Sequence, residues 1–506
     1  MLAAAPLVVL LLLLGVFRKP AWMSAAAGLI AAILVASFSY GMSPARIIGA
    51  ITYGAAFGLF PIGWIVFSAI LLYNLSVETG QFEIVKNSIG HLTSDRRIQA
   101  LLIAFSFGAF IEGAAGFGTP VAVAAAMLAG LGFSPFYAAG ICLLANTAPV
   151  AFGSIGIPLT TLAGVTSLPL ARLSAGVGRV CAPVSLFIPA YLILVMGGWP
   201  ALRGVLPAAA ICGIVFAGVQ FLVSNFIGPE LTDILSSTAS MAALIALSRV
   251  WKPKDKFELP GDTPQAEAPR ARTAHLFRAW SPYALLVLFV LLWGVPSIQR
   301  LLNLATIAFV WPGTSATYKF NWLSASGTAC LFAGFCATVI LRVSPSRLGQ
   351  LLARTTKQLF ISESTIAIVL GLAYLMNFSG ATTTLGKEFA ATGVTFPFFS
   401  ALLGWLGVFL TGSDTSANAL FGNLQKVTAT SLHMNPVLMA SANSAGGVMG
   451  KMISLTSIAV AVAATGMAAQ DESKLFRFTL KHSIFLASVI GVIVVLYSTV
   501  LSGLAP

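Results

Sequence analysis

Charge is what this chain is short of. Asp, Glu, Lys and Arg make up only 8% of its 506 residues, against roughly 25% in an ordinary soluble domain. A water-soluble fold of this length could not cover its surface with so little charge. Soluble enzymes and nucleic-acid-binding proteins are therefore excluded. Acid is scarcer than base: 15 Asp and Glu stand against 28 Lys and Arg, a net +13. Lys- and Arg-rich cytoplasmic loops account for that excess without a polyanionic partner. Cysteine is also sparse. Cys142, Cys181, Cys212, Cys330 and Cys336 all lie in apolar stretches, as small buried residues do, and suggest no disulfide framework. His91, His275, His433 and His482 form no metal-ligand array. There is no Walker loop, dinucleotide fingerprint or nucleophile–base constellation, so no metal, no cofactor, no ATP-driven step and no enzyme is expected.

Apolar sequence fills the space. Hydrophobic residues make up 58% of the chain, and a helix needs about 20 of them to cross the hydrocarbon. The expectation is an all-α polytopic membrane protein of about 12–14 spans. The first run, residues 2–17, lacks a basic leader and is followed by Arg18 and Lys19; it reads as a retained helix rather than a signal peptide. The long run at 47–75 contains Phe60-Pro61 and should be kinked or steeply tilted. Polar breaks are few. The largest, 249–278, holds seven basic and four acidic residues and reads as a solvated cytoplasmic loop with little need for a fold. The breaks at 342–357, 471–481 and 78–97 are predicted to face the cytoplasm too.

The chain repeats itself. Trp22-Met23-Ser24-Ala25 matches Trp322-Leu323-Ser324-Ala325, GAFIEG (108–113) matches GVFLTG (407–412), and ANTAPVAFG (145–153) matches ANSAGGVMG (442–450). SPAR (43–46) with SPSR (344–347) and LTTLA (159–163) with LTSIA (455–459) fall in the same order at nearly one offset. This divides the chain into an N-terminal helix (1–21), a first repeat (22–166), connecting spans (167–321), a second repeat (322–466) and a C-terminal helix (467–506). Counting spans from the cytoplasmic loops brings GAFIEG and GVFLTG into the membrane from opposite sides. That is the plan of two inverted-topology repeats with re-entrant hairpins or broken helices.

Each repeat runs into small and polar residues at membrane depth: EGAAGFGTP (112–120) and TGSDTSANA (411–419). Freed backbone there is tolerated only within protein or water, and half-helix N-termini suit an anion. Tight helix packing would explain Gly116 and Gly118, but not Glu112 or Asp414. A carboxylate at the bilayer centre costs about 2.5–3.5 kcal/mol, and no Asp or Glu occurs from 113 to 229. Withdrawal from water favours the neutral form of a carboxyl, so such groups can carry a proton. Asp414 and Glu112 are the candidates for proton coupling, with Glu363 a third. A sodium site built from Asp414, Asn418 and backbone carbonyls stays open. Lys451 and Arg179 are cations within apolar stretches, suited to an anionic ligand, and Lys451 could pair with Asp414 when no ligand is bound. Asn146, Thr147, Asn443 and Ser444 could hydrogen-bond a small polar substrate. Gly116, Thr119, Ser413 and Thr415 complete the candidate substrate-binding set.

Taken together, GAFIEGAAGFGTPVA (108–122), GFSPFYAAGICLLANTAPVAFGSIGIP (132–158), SNFIGPELTDI (224–234), GWLGVFLTGSDTSANALF (404–421) and GGVMGKMIS (446–454) closely resemble the bacterial L-lactate permease family. FNWLSASGTA (320–329) and FRFTLKHS (476–483) extend the likeness over nearly the whole chain. The resemblance implies uptake of lactate, and often glycolate or D-lactate, by proton symport across the bacterial plasma (inner) membrane. It also implies a scaffold region and a mobile region with hairpins. Partners are then the bilayer, the substrate and a proton, with no nucleic acid; a homodimer stays open. A sodium-coupled carboxylate carrier is the alternative. After GKMIS the family often reads Pro-Gln-Ser, where this chain has Leu455-Thr456-Ser457.

Overall fold

A computed structural model describes residues 2–90, 92–116, 118–255, 257–262, 273–468 and 471–506. His91 and, in the basic loop, Lys256, Arg270 and Arg272 lie outside the described residues. Among those described, ten helices are long and apolar enough to cross a membrane, or eleven if the bent pair 135–145 and 150–166 is one span. The expected 12–14 spans differ from this count for identifiable reasons. Leu170–Phe226 is a single run of 57 residues, about 85 Å of helix, and it folds back at Gly197 and Gly198, where the backbone leaves helical geometry. The helices Leu2–Gly15 and Ser326–Leu341 are apolar but short. The chain is a multi-pass membrane protein.

The 44–78 segment breaks where the sequence predicts. Phe60 is extended (φ −144°, ψ 124°) immediately before Pro61, whose missing N–H cannot continue the ladder. The Tyr318 hydroxyl donates to the freed carbonyls of Phe60 (2.7 Å) and Ala56 (3.2 Å). Tyr318 belongs to an element absent from the all-helical expectation, an antiparallel pair of strands, Ile307–Val310 and Thr317–Phe320. Aromatic and β-branched residues flank a Trp-Pro-Gly turn there. The hairpin packs Trp311 and Tyr318 edge-on against Tyr53.

Ion pairs tie together three of the loops predicted to face the cytoplasm, 78–97, 249–278 and 342–357. Arg97, with no exposed side-chain surface, is clamped between Asp95 and Asp255, each at 2.7 Å. Arg96 pairs with Asp262 at 3.2 Å, and Asp262 also accepts from the Ser134 amide. Glu78 pairs with Arg347 at 3.2 Å. Hydrogen bonds from Arg97 hold the Asp255 carboxyl below its ordinary range. The start of the 249–278 loop is thus docked, a correction to the solvated-loop expectation: two buried guanidinium groups need carboxylates, and Asp255 and Asp262 supply them.

The segments 96–145 and 396–451 share a helix–break–helix form. Among the described residues, Arg96–Ala114 is the one long apolar helix whose most apolar stretch is wholly buried, which fits an element enclosed by protein rather than lipid. After a break marked by Ala115, Gly116 and Gly118 the chain continues as Thr119–Gly130. Correspondingly, Phe396–Thr411 ends at Gly412 (φ +72°) and Asp414–Ser431 follows. Pro135–Ala145 breaks before Gly153–Thr166, and Pro436–Lys451 breaks before Leu455–Thr465. Helix Leu455–Thr465 packs on Thr119–Gly130, and Gly153–Thr166 packs on Asp414–Ser431. Each half of the chain therefore closes the other half's break.

Candidate functional site

All four breaks open into one cavity of about 260 Å³. Its wall includes Gly118, Ser154, Asp414 and Ser457, so the starts of four helices converge there. Each helix start carries roughly half a positive charge and unshared N–H groups. Small residues make the convergence possible. Gly404, Gly446 and Gly450 bring helices Phe396–Thr411 and Pro436–Lys451 so close that a methyl at any of them would meet the other helix's backbone.

The second wall turns left-handed. Ser154, Ile155 and Gly156 all have positive φ (48°, 59° and 72°), and two of them carry side chains for which this region is costly. Ser154 Oγ donates to the Ala115 carbonyl at 3.0 Å, tying this turn to the first break. Gly116 (φ +61°) lies under Ser154, with no room for a side chain.

Three charged groups face the cavity: Glu112, Asp414 and Lys451. Asp414 begins its helix behind Ser413, whose hydroxyl accepts from the Ser416 amide at 3.2 Å. Its Oδ2 accepts from Ser444 and from Asn418 Nδ2 (3.2 Å), while buried Oδ1 has no hydrogen-bond partner. Behind it stands a chain of oriented amides. The Ser400 hydroxyl donates to Gln425 Oε1 (2.8 Å), Gln425 Nε2 to Asn443 Oδ1 (3.2 Å), and Asn443 Nδ2 to Asn418 Oδ1 (2.9 Å). Bonds from Gln425 Nε2 to the Ser400 carbonyl and from Asn418 Nδ2 to the Pro158 carbonyl fix which way the amides face. The links between the side chains of the row, from Ser400 through Gln425, Asn443 and Asn418, all run donor to acceptor towards Asp414.

Lys451 makes no ion pair with Asp414, which corrects the pairing expected from sequence. Its ammonium donates instead to the Gly412 carbonyl at 2.6 Å. The reason is positional: Lys451 ends helix Pro436–Lys451 beside the last carbonyls of Phe396–Thr411, which have no partner within their own helix. An ammonium has three donors, so two remain for a ligand. Gly447 lies under Asp414, where a methyl would come within 2.5 Å of Oδ1 and 2.8 Å of Val408 Cγ2. Gly447→Ala is expected to destabilise the fold by about 1–3 kcal/mol and to cut transport roughly tenfold by displacing the carboxyl. Melting in detergent and uptake into vesicles check the two effects separately.

This geometry meets the comparisons with known proteins. Residues 1–501 match the L-lactate permease family. The chain is 46% identical to the L-lactate permease of Bacillus subtilis, covering 100% of this chain and 96% of that one. It is 41% identical to the L-lactate permease of Salmonella typhimurium (100% and 97%) and 42% identical to the glycolate permease of Escherichia coli (100% and 96%).

The chain belongs to the L-lactate permease family.

Its relatives are transporters rather than enzymes. Of the candidate residues, this L-lactate permease family member brings Glu112, Ser413, Asp414, Thr415 and Lys451 to the cavity wall. Asn443 and Ser444 stand behind it in the amide row. Thr147 donates to the Leu144 carbonyl at 2.7 Å. Thr119 opens its helix next to Gly118, which lines the wall. The Asn146 amide faces Glu112, yet neither of its polar atoms makes a hydrogen bond of normal geometry. Arg179 is directed elsewhere, donating to Asn225 Oδ1 (2.8 Å) and the Leu504 carbonyl (2.7 Å). Both Glu363 oxygens are buried and unpartnered, and its neighbour Ser362 reaches the wall.

Sequence reasoning missed Ser154, Ser400, Gln425 and Asp233, while Thr456 and Ser457, noted from the sequence in the segment after GKMIS, line the cavity. For Asp233 a signal existed: the segment 224–234 carries the family resemblance, and Asp233 is an acid in an otherwise apolar span. For Ser400 and Gln425 there was none: Ser400 is one hydroxyl on an apolar helix, Gln425 is one of many polar residues on helix Asp414–Ser431, and neither position reveals its partner.

Proposed function

We propose that this chain imports L-lactate and related 2-hydroxy monocarboxylates, glycolate and D-lactate among them, by proton symport across the bacterial plasma membrane. The observation that carries this reading is the pairing, in one small cavity, of an anion-attracting wall with two buried carboxyls. Lys451 and four helix starts make the wall; Glu112 and Asp414 are the carboxyls. A 2-hydroxy acid is ionised at pH 7, with an acidity near that of an Asp side chain. Its carboxylate meets Lys451 and the backbone N–H groups at the helix starts. Its hydroxyl is met by Ser413, Thr415 or neighbouring side chains. Asp414 and Glu112 take the proton, so that loading leaves the net charge unchanged. The names of the relatives, lactate and glycolate permeases, support the substrate class.

The reading includes two inverted repeats, 22–166 and 322–466. Supporting it, the first hairpin's loop is tied through Ser134 to the Asp262 face. Near the end of the second hairpin, Lys426 donates to Thr166, at the far end of helix Gly153–Thr166. Sodium coupling at Asp414 and Asn418 has less support. Asn418 turns its nitrogen to Asp414, while its oxygen is occupied by Asn443, which leaves little for a cation to share.

The test is uptake of labelled lactate into proteoliposomes under an imposed pH gradient, with and without sodium. Accumulation driven by acid outside and indifferent to sodium is expected. Accumulation that follows sodium at constant pH would replace the proposal with its alternative.

A further inference from the structure

We infer that Glu112 does not hold its proton alone: Asp233 and Asn146 complete a three-residue proton site behind the cavity wall. The inference rests on the symport reading and deepens it.

Asp233 is 1% exposed, and neither of its carboxyl oxygens has a hydrogen-bond partner. It is the second residue of helix Thr232–Val250, in the first turn, where a carboxylate is favoured near the free backbone N–H groups. Here it makes no hydrogen bond to them. The helix instead packs on Gly108–Ala114, so closely that a methyl on Gly113 would stand 2.8 Å from Asp233 Cβ. Gly113 adjoins Glu112, and the two carboxyls are within electrostatic reach of each other. Glu112 Oε2 is also buried without a partner.

Asn146 is the independent observation. It is 4% exposed, lies in the break after helix Pro135–Ala145 and faces Glu112, with both amide atoms unsatisfied. Five buried polar atoms without hydrogen-bond partners, from three segments, thus lie at Glu112 or around it. Orphaned buried polar groups are rare in folded proteins and call for a reason. Two buried carboxyls within electrostatic reach oppose each other's ionisation, and Lys451 faces Glu112 from the cavity side. A proton held by the pair, with the Asn146 amide as adjustable donor or acceptor, satisfies the group.

The ionisable side chains facing Asp233 are Glu112 and, from helix Leu170–Phe226, Cys181. Lys451 and Asp414 face Glu112 from the cavity side. Only Glu112 both lines the cavity and adjoins Asp233. It exchanges the proton with the cavity, and Asp233 holds it out of reach of bulk water.

The test compares wild type with Asp233→Asn in proteoliposomes. Three readouts are taken: lactate accumulation under a pH gradient, equilibrium exchange of labelled lactate, and the pH profile of that exchange. Asp233→Asn is expected to lose at least tenfold in accumulation, to keep exchange within threefold, and to flatten the pH profile. Asp233→Ser, a smaller side chain, should do the same and guards against an amide that fails to pack. If either folded variant accumulates lactate as wild type does with an unchanged pH profile, Asp233 has no part in coupling. If the variants lose a sodium dependence that wild type possesses, the site takes sodium and the proton assignment is wrong. A wild type that moves lactate without protons would overturn the symport reading itself, a result distinguishable from failure at Asp233 alone.

Discussion

Replacing Lys451 with glutamine is expected to raise the lactate concentration for half-maximal uptake by at least about 30-fold, with the protein still folded. Truncating one partner of a buried, hydrogen-bonded charge pair costs about 2–5 kcal/mol, and 2 kcal/mol is roughly a 30-fold change in affinity. Glutamine retains an amide N–H for the Gly412 carbonyl, which Lys451 now occupies at 2.6 Å. The contact between helix ends therefore survives while the positive charge is lost. Lys451→Met removes both and should also lower the melting temperature. Binding of labelled lactate to purified protein, measured beside thermal melting, separates the two. If Lys451→Gln binds lactate as tightly as wild type, the ammonium serves only as a cap on helix Phe396–Thr411.

Asp414→Asn should give the opposite pattern, with binding and exchange partly kept but uphill transport gone. On the proposed symport of one proton per lactate, each pH unit across the membrane supports about a tenfold lactate gradient. The variant's accumulation ratio should fall to about one. Asparagine can still accept from Ser444 and Asn418 through its oxygen. Its nitrogen would take the place of Oδ1, which has no partner to lose. The substitution therefore tests protonation more than packing. Accumulation surviving in Asp414→Asn would remove this residue from coupling and leave Glu112 to carry it.

Thr456 and Ser457 add a point about specificity. Thr456 stands where the resemblance implies Gln, Ser457 keeps the implied Ser, and both line the cavity. The departure therefore falls where a ligand would be touched rather than on a lipid-facing surface.

How legible the site was depended on the cost of each residue type. An ionised group in an apolar span is so unfavourable that Glu112, Asp414 and Lys451 stood out from the sequence alone, and all three reach the cavity. Asn146, Asn443 and Ser444 were candidates on polarity alone, and only packing divides them. Ser444 and Asn443 are committed to the row behind Asp414, whereas Asn146 is left unpaired. Arg179 fitted the same description as Lys451, yet a one-dimensional pattern does not reveal that Asn225 and the Leu504 carbonyl are its neighbours.

The sequence by itself determined that the chain lives in a bilayer, because apolar length and scarcity of charge are properties of composition that no fold can reverse. It also marked the broken segments, since Gly, Ser and Pro weaken a helix locally. Only the tertiary structure decided that the four breaks face one another, that Lys451 meets Gly412 rather than Asp414, and that Asp233 lies behind Glu112. Those facts depend on contacts between residues more than 300 positions apart, set by how glycine-lined helices pack, and no local pattern encodes them.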